Sequence, residues 1–172
     1  ENIEINDPKN QNILIFGDSF AADLAYLIEY KDPTINYTLT TSGPPENTIC
    51  MHDLWDKAKS LNVSSVLFAY DEGFDVHCID TAIQKANKQG IQILFIGGKH
   101  FGYNLNWLAR LKSDERKFLC QPPVKEAIEI DYRDSTNIPK ENYFSFFNTF
   151  LDNDNCFPIT NLNGELLSSD RR

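Results

Sequence analysis

Hydrophobic positions near the start of the chain form one short uninterrupted run, residues 13–16, which stops at Gly17. Runs of this kind are typical of strands covered on both faces, as in the parallel sheet of an α/β protein. Apolar residues then recur at helical spacing, at Leu24, Leu27 and Ile28. The pattern predicts a buried strand that ends at Gly17 and a helix that begins near Ser19.

The same alternation of strand and helix repeats further along the chain. Three more strand-like segments are residues 35–41, 63–70 and 91–96. Helical patterns lie between them, and the one before the last strand stops at Gly90, as helices often do at glycine. Regular alternation predicts right-handed crossovers and a parallel sheet with helices on both faces. The predicted fold class is α/β, a three-layer α/β/α arrangement around a central, mostly parallel sheet.

The pattern is less regular beyond residue 98. A helix is predicted at residues 105–111, whereas residues 124–140 show no pattern that assigns them. The aromatic segment 143–150 fits either a last strand or a short helix, and residues 161–166 predict a turn into a hairpin arm. We expect residues 12–172 to form a single domain, preceded by a linker or chain edge at residues 1–11.

Charge and length exclude several functions. A formal net charge of -9 argues against sequence-independent nucleic-acid binding and against binding to anionic membrane surfaces. No apolar run approaches the length that crosses a bilayer, and the chain does not open with a signal-peptide pattern. A nucleotide-binding or receiver-like module is disfavoured because there is no glycine-rich phosphate loop. No cofactor is predicted.

The cysteines and histidines show no metal-binding spacing. None of the four cysteines is part of a C-x-x-C pair, and no histidine pair has ligand spacing, so no metal site is predicted. An even number of cysteines fits two disulfides, although free buried thiols fit the composition equally well. The residues concerned are Cys50, Cys78, Cys120 and Cys156, with His52 and His77 beside the first two.

Gly17-Asp18-Ser19 lies at the predicted junction between the first strand and the first helix. Ligands and nucleophiles often lie at such junctions, because loops converge at the carboxyl edge of a parallel sheet and helix N-termini direct free N–H groups there. Asp18 or Ser19 could instead simply cap the helix, a role that both residue types often fill. These three residues alone favour the capping interpretation over the chemical one, because short motifs match by chance.

Three short motifs together resemble one enzyme family. Gly17-Asp18-Ser19, then Ser42-Gly43 after the second strand, and Asp170 near the end resemble the blocks of the SGNH hydrolases, whose fold is flavodoxin-like. Their first block is a GDS nucleophile motif and their last is D-x-x-H. The resemblance spans residues 12–172, and by this pattern the domain continues just past Asp170.

A narrower resemblance is to the SGNH domains fused to acyltransferase-3 membrane proteins, which O-acylate bacterial surface polysaccharides. It is carried by Ser42-Gly43-Pro44-Pro45 before Cys50, and by residues 163–167 and Asp170 after Cys156. This resemblance places the domain in an oxidising compartment, where disulfides persist. Two disulfides are therefore expected. The pairs Cys50–Cys78 and Cys120–Cys156 are predicted because each pair flanks loops at one end of the predicted sheet, and the other pairings are left open.

The family resemblance implies a role for each matching residue. Ser19 is the nucleophile, Asp170 orients the catalytic base, and the amides of Ser19 and Gly43 form the oxyanion hole. Two departures stand out: residues 69–73 lack the N-D block that supplies another oxyanion donor, and the D-x-x-H histidine would fall one position beyond Arg172. His100, after the fourth strand, is another candidate base, although lone loop histidines are more often solvated.

The implied function is that of a serine-dependent O-acyltransferase or esterase acting on acetyl groups of a bacterial cell-surface polysaccharide. Its partners would be an acyl donor, a polysaccharide acceptor and an acyltransferase-3 membrane domain on the same natural chain. The implied location is periplasmic or extracytoplasmic, tethered to the inner membrane. The alternative is a non-catalytic glycan-binding domain with an incomplete triad, which the missing histidine and the missing N-D block favour.

Overall fold

The computed structural model describes residues 12–41, 53–98, 108, 110–117, 119–151, 156–158, 160 and 163. Strands β1–β4 and β6 form one parallel sheet in the order β2-β1-β3-β4-β6, and β5 and β7 pair antiparallel in a separate ladder. The strands within these residues are β1 (Asn12–Gly17), β2 (Asn36–Thr41), β3 (Ser65–Ala69), β4 (Gln92–Ile96), β5 (Cys120–Gln121), β6 (Tyr143–Phe144) and β7 (Phe157–Pro158).

Helices alternate with the strands. The α-helices of the described residues are α1 (Ser19–Lys31), α2 (Asp53–Ser60), α3 (Val76–Gln89), α4 (Lys125–Asn137) and α5 (Phe146–Phe150). Short 3-10 turns cover Ser113–Arg116 and Lys140–Asn142. Helix α3 ends at Gly90, which has φ 69° in the left-handed region. Glycine adopts that conformation without strain, which explains why the helix stops there.

The predicted fold class is confirmed: this is an α/β protein with a parallel central sheet and helices on both of its faces. The first four strands lie where the apolar pattern predicts them, to within one or two residues at each end. The ambiguous aromatic segment contains both alternatives, because β6 leads directly into α5. The unassigned residues 124–140 include a helix, α4. The predicted helix at 105–111 lies largely outside the described residues, as does the hairpin arm at 161–166.

Alternate residues of the strands point to opposite faces of the sheet, and each face has its own core. On one face the strands pack against α2 and α3, and three phenylalanines from β1, β3 and β4 stack in register. They are Phe16, Phe68 and Phe95. On the other face α1 packs together with Phe144 and Phe146, which belong to β6 and α5. Both faces of the sheet are therefore covered by helices.

A disulfide joins Cys120 to Cys156, which is one of the two predicted pairs. It links the β5–β7 ladder across a stretch of chain that contains α4, β6 and α5. Cys78, at the start of α3, is also in a disulfide, and none of the described cysteines is free. Its predicted partner, Cys50, lies outside the described residues.

Removing the Cys120–Cys156 disulfide is expected to lower the free energy of unfolding by about 3–4 kcal/mol, because the bond closes a loop with a sequence separation of 36 residues. Urea unfolding of the double variant Cys120→Ala/Cys156→Ala against the oxidised parent measures the loss. The same comparison in dithiothreitol is the control, since the two proteins should then unfold at similar urea concentrations. A loss below about 1 kcal/mol would show that the bond constrains the unfolded chain little.

Candidate active site

Ser19 is the first residue of α1 and lies at the carboxyl end of β1, where its side chain is exposed. Strand β1 pairs with β2 on one side and with β3 on the other. The chain therefore moves outward in opposite directions from β1, which creates a switch point in the strand order. Crevices outside the carboxyl ends of strands at a switch point are the usual ligand sites of open α/β sheets. Ser19 thus occupies the position where this fold commonly places its chemistry.

Asp18 caps helix α1, so the capping interpretation applies to the aspartate and not to the serine. Its Oδ1 atom accepts a hydrogen bond from the Phe20 backbone N–H at 2.8 Å, and its Oδ2 atom accepts one from the Asp71 N–H at 3.0 Å. The carboxylate therefore joins the turn after β1 to the turn after β3. This arrangement fixes the position of Ser19 against the neighbouring loop.

The amide and hydroxyl of Ser19 have no hydrogen-bond partner among the described residues, whereas Phe20 and Ala21 both donate to Asp18. The first turn of a helix carries a partial positive charge and unpaired N–H groups. Ser19 therefore presents a hydroxyl and an N–H donor together at the positive end of α1. An acyl-transfer site needs both groups, because the hydroxyl attacks the carbonyl carbon and the N–H stabilises the oxyanion that forms.

Gly17 lets β1 and β3 approach closely beneath this turn. A Cβ atom at position 17 would overlap the carbonyl oxygen of Ala69 and would lie 2.7 Å from the Ala21 Cβ. Both obstacles belong to rigid elements, the end of β3 and the first turn of α1. The glycine of the GDS sequence therefore serves packing at the sheet edge.

Asp71 stands where the family's N-D block would follow the third strand. Because its backbone N–H donates to Asp18, this amide does not provide the missing oxyanion donor. The remaining predicted site residues, Ser42, Gly43, Cys50, His52, His100 and Asp170, lie outside the described residues, so the hole and the triad remain predictions. His77 is exposed at the start of α3, where its N–H donates to the Asp75 carboxylate.

The described residues lack two other features. They hold no group of three or more histidine, cysteine, aspartate or glutamate side chains that could bind a metal ion. Within the same residues, no helix combines the length and apolar character needed to cross a membrane.

Helix α4 carries two buried carboxylates that the sequence did not predict. Asp131 accepts hydrogen bonds from the Tyr143 hydroxyl at 2.7 Å and from the Ser145 hydroxyl at 2.9 Å. Asp134 is fully buried, and its Oδ1 atom binds the Arg133 guanidinium at 2.8 Å. These interactions attach α4 to β6 at the carboxyl edge of the sheet.

Burial raises the pKa of Asp134 to about 6 from an ordinary 3.8, and the hydrogen bond from Arg133 opposes the shift. Burial also raises the pKa of Tyr143, and so does its hydrogen bond to Asp131. The folded protein therefore binds a proton at Asp134 more tightly than the unfolded chain does. This contribution to stability is fully present below about pH 3.8 and is lost as the pH rises through 6.

Asp134→Asn is expected to remove this pH dependence, because the amide does not ionise. The free energy of unfolding of the parent should fall by roughly 2–3 kcal/mol more than that of the variant between pH 4 and pH 7. Urea unfolding at several pH values measures both slopes. Equal slopes in the two proteins would show that the Asp134 proton is bound no more tightly after folding.

The fold and this edge define an α/β protein with an exposed serine at the switch point of a parallel sheet. No protein-family model and no curated protein sequence matches the chain. Among solved structures, the chain is similar to a Bacteroides fragilis protein provisionally designated an acylhydrolase, at 12% identity and a TM-score of 0.49, over 95% of this chain and 81% of that one. A similarity this low carries no argument about activity.

Proposed function

We propose that this chain is a serine-dependent acyl-transfer domain, an esterase or O-acyltransferase acting on acetyl groups of a bacterial surface polysaccharide. One observation carries the proposal. Ser19 is exposed at the switch point with its hydroxyl and its N–H unpaired among the described residues, because Asp18 performs the capping. An exposed serine that does not cap its helix is available as a nucleophile.

The reaction begins when the Ser19 Oγ atom attacks the ester carbonyl carbon and gives its proton to a histidine. The carbonyl π electrons move to oxygen, and the Ser19 N–H together with the predicted Gly43 N–H stabilises that oxyanion. Collapse of the intermediate expels the alcohol, which takes the proton from the histidine, and leaves acetyl-Ser19. A sugar hydroxyl or water then attacks this ester in the same way and restores the serine.

The family resemblance supplies the groups that the described residues do not include. By that resemblance the histidine would fall one position beyond Arg172, with His100 as the other candidate, and Asp170 would orient it. A second acyl-transfer domain of the acyltransferase-3 type would deliver the acetyl group across the membrane. The Cys120–Cys156 disulfide supports an extracytoplasmic location, since such bonds persist in oxidising compartments and are rare in the cytosol.

A non-catalytic glycan-binding domain is the second candidate, and the geometry at Asp71 favours it. Residues 69–73 contain no asparagine to act as the family's third oxyanion donor, and the N–H of Asp71 cannot replace it because it is already bound to Asp18. Removal of one donor from such a hole typically costs about 10²–10³-fold in kcat. A domain with a weak hole and an incomplete triad would bind the glycan without turning over an ester.

Labelling with a fluorophosphonate tests the proposal directly. The protein that carries its natural sequence on both sides of these residues is treated with the probe, digested and mapped by mass spectrometry. A phosphonyl group on Ser19, together with turnover of p-nitrophenyl acetate, is the expected result. If Ser19 is not labelled and the protein still binds polysaccharide, the enzyme hypothesis is wrong and the glycan-binding domain is favoured.

A further inference from the structure

A groove of about 500 Å³ lies between α4 and α5, bounded at one end by Pro122 and Pro123. Its volume falls within the range of small-molecule sites. Side chains from both helices line it, chiefly Ile128, Asp131 and Tyr132 from α4 and Phe147 and Asn148 from α5. We refer to it as the α4–α5 groove.

One wall of the α4–α5 groove is apolar and unusually exposed. Tyr132 is 72% exposed and Ile128 is 47% exposed, and they lie four residues apart on α4. Residues with this spacing are neighbours on a helix surface, so the two side chains form one exposed apolar strip. A flat aromatic ring that is apolar in its body and polar at its tip suits a ligand with one apolar face.

The floor of the α4–α5 groove is a fixed hydrogen-bond acceptor. Asp131 is held by the hydroxyls of Tyr143 and Ser145, which leaves its orientation settled before any ligand arrives. A carboxylate offers about four lone-pair sites, so two are left for further donors, which reach Asp131 through the 8% of the residue that is exposed. Asn148 adds an amide that both donates and accepts at the same groove.

The charges around the α4–α5 groove exclude an anionic ligand. No lysine or arginine is among the described residues that line it. The nearby cations of α4 are paired with carboxylates of the same helix, Arg133 with Asp134 and Lys125 with Glu129. A net charge of -9 disfavours anions further. The ligand that fits is neutral, rich in hydroxyl donors on one edge and apolar on one face, which describes a pyranose ring.

Helix α5 contributes both to the α4–α5 groove and to the packing beside Ser19. Phe146, the residue before the groove-lining Phe147, packs edge-on against Phe20 with 5.4 Å between ring centroids, and Phe20 follows Ser19. Adjacent residues of one short helix thus contact the nucleophile's turn and line the groove. A glycan held in the groove would pass close to the carboxyl edge of the sheet.

We propose that the α4–α5 groove binds a neutral pyranose, with Tyr132 stacked on the apolar face of the ring and Asp131 accepting hydrogen bonds from its hydroxyls. The role of the groove, as the subsite that holds the acceptor glycan, rests on the proposed function. Its binding chemistry does not.

Titration of the ¹⁵N-labelled chain with methyl α-D-glucopyranoside and with the methyl glycoside of N-acetylglucosamine tests the groove. At least one sugar should give saturable shifts at Ile128, Tyr132 and Asn148 at millimolar concentrations. Tyr132→Ala should weaken binding at least tenfold. Tyr26→Ala is the matched control, because Tyr26 is 71% exposed on α1, and it should bind as the parent does. No saturable shift with either sugar, or equal loss in both variants, would overturn the proposal.

Two further probes separate a sugar site from other occupants. D-glucuronate should bind at least threefold more weakly than the neutral sugars because its carboxylate meets Asp131, and the opposite order would overturn the proposal. Hexanol tests whether the groove binds any apolar molecule. Chemical-shift changes with hexanol but not with sugar would contradict the proposal and indicate that this surface binds a protein partner.

The outcome is independent of catalysis. Sugar binding should be unchanged in Ser19→Ala, which shows whether the groove works without the nucleophile. Sugar binding with no ester turnover would support the proposed groove and contradict the proposed enzymatic function. Turnover of p-nitrophenyl acetate with no sugar binding would support the proposed enzymatic function and contradict the proposed groove.

Discussion

Ser19→Ala is expected to lower kcat/KM for a small activated acetyl ester by at least about 10³-fold and to abolish labelling by a fluorophosphonate. The hydroxyl is the proposed nucleophile, and no other group at this turn replaces it. Loss of a triad member leaves only the contributions of the oxyanion hole and of substrate binding. Initial rates with p-nitrophenyl acetate, measured in the protein with its natural flanking sequence, quantify the loss.

Ser60→Ala provides the matched control for this experiment, because Ser60 is an exposed helical serine at the end of α2, and its hydroxyl donates only to the Lys57 carbonyl. The control should keep the parent rate and the parent labelling. Full ester turnover by Ser19→Ala would assign the activity to another nucleophile. Equal loss in both variants would indicate damage to the fold.

Gly17→Ala is expected to lower the free energy of unfolding by about 4 kcal/mol or more, which is exceptional for a single methyl group. The added Cβ would overlap the Ala69 carbonyl oxygen and would crowd the Ala21 Cβ, so β1 and β3 would have to separate. Both strands lie in the middle of the sheet, where little can shift. Urea unfolding measures the loss, and an insoluble or unfolded variant is the extreme form of the same result.

Gly90→Ala is the matched control for the glycine substitution. A Cβ at position 90 meets nothing within 4 Å, but the residue has φ 69°. Its cost should therefore be only the left-handed backbone penalty of about 1–2 kcal/mol. If Gly17→Ala costs no more than Gly90→Ala, the close approach of β1 to β3 is not a constraint on this protein.

The sequence predicted those parts of the fold whose signals are local. The run at residues 13–16 and the helical spacing after Ser19 depend on burial of one element at a time, and β1 and α1 follow them. Helix α4 was not predicted because its buried face includes two aspartates and therefore shows no apolar pattern. Its buried residues are Ala127, Asp131 and Asp134. Together with Ile138, these residues recur at helical spacing. A search for apolar residues alone does not detect this pattern, because two of the positions are aspartates.

The candidate site divides in the same way. The position of Ser19 at the carboxyl edge follows from the order of strand, turn and helix, which the sequence contains. The bond from Asp71 to Asp18 joins residues 53 positions apart, and no local pattern indicates it. The hydrogen bonds that Asp131 accepts likewise come from the hydroxyls of Tyr143 and Ser145, which lie 12 and 14 positions away on another element. Only the structure shows the hydrogen-bond partners of these polar groups, because the partners lie far away in the sequence.

The position of β1 between β2 and β3 affects how the chain emerges from the ribosome. The run at residues 13–16 is synthesised before its second neighbour, Ser65–Ala69, which is completed about fifty residues later. At ordinary translation rates the nascent chain exposes this apolar strand for roughly 3–10 s. A strand edge left open for that time can pair with other chains. During this interval we expect chaperones that bind extended apolar segments to protect the strand that ends at Gly17.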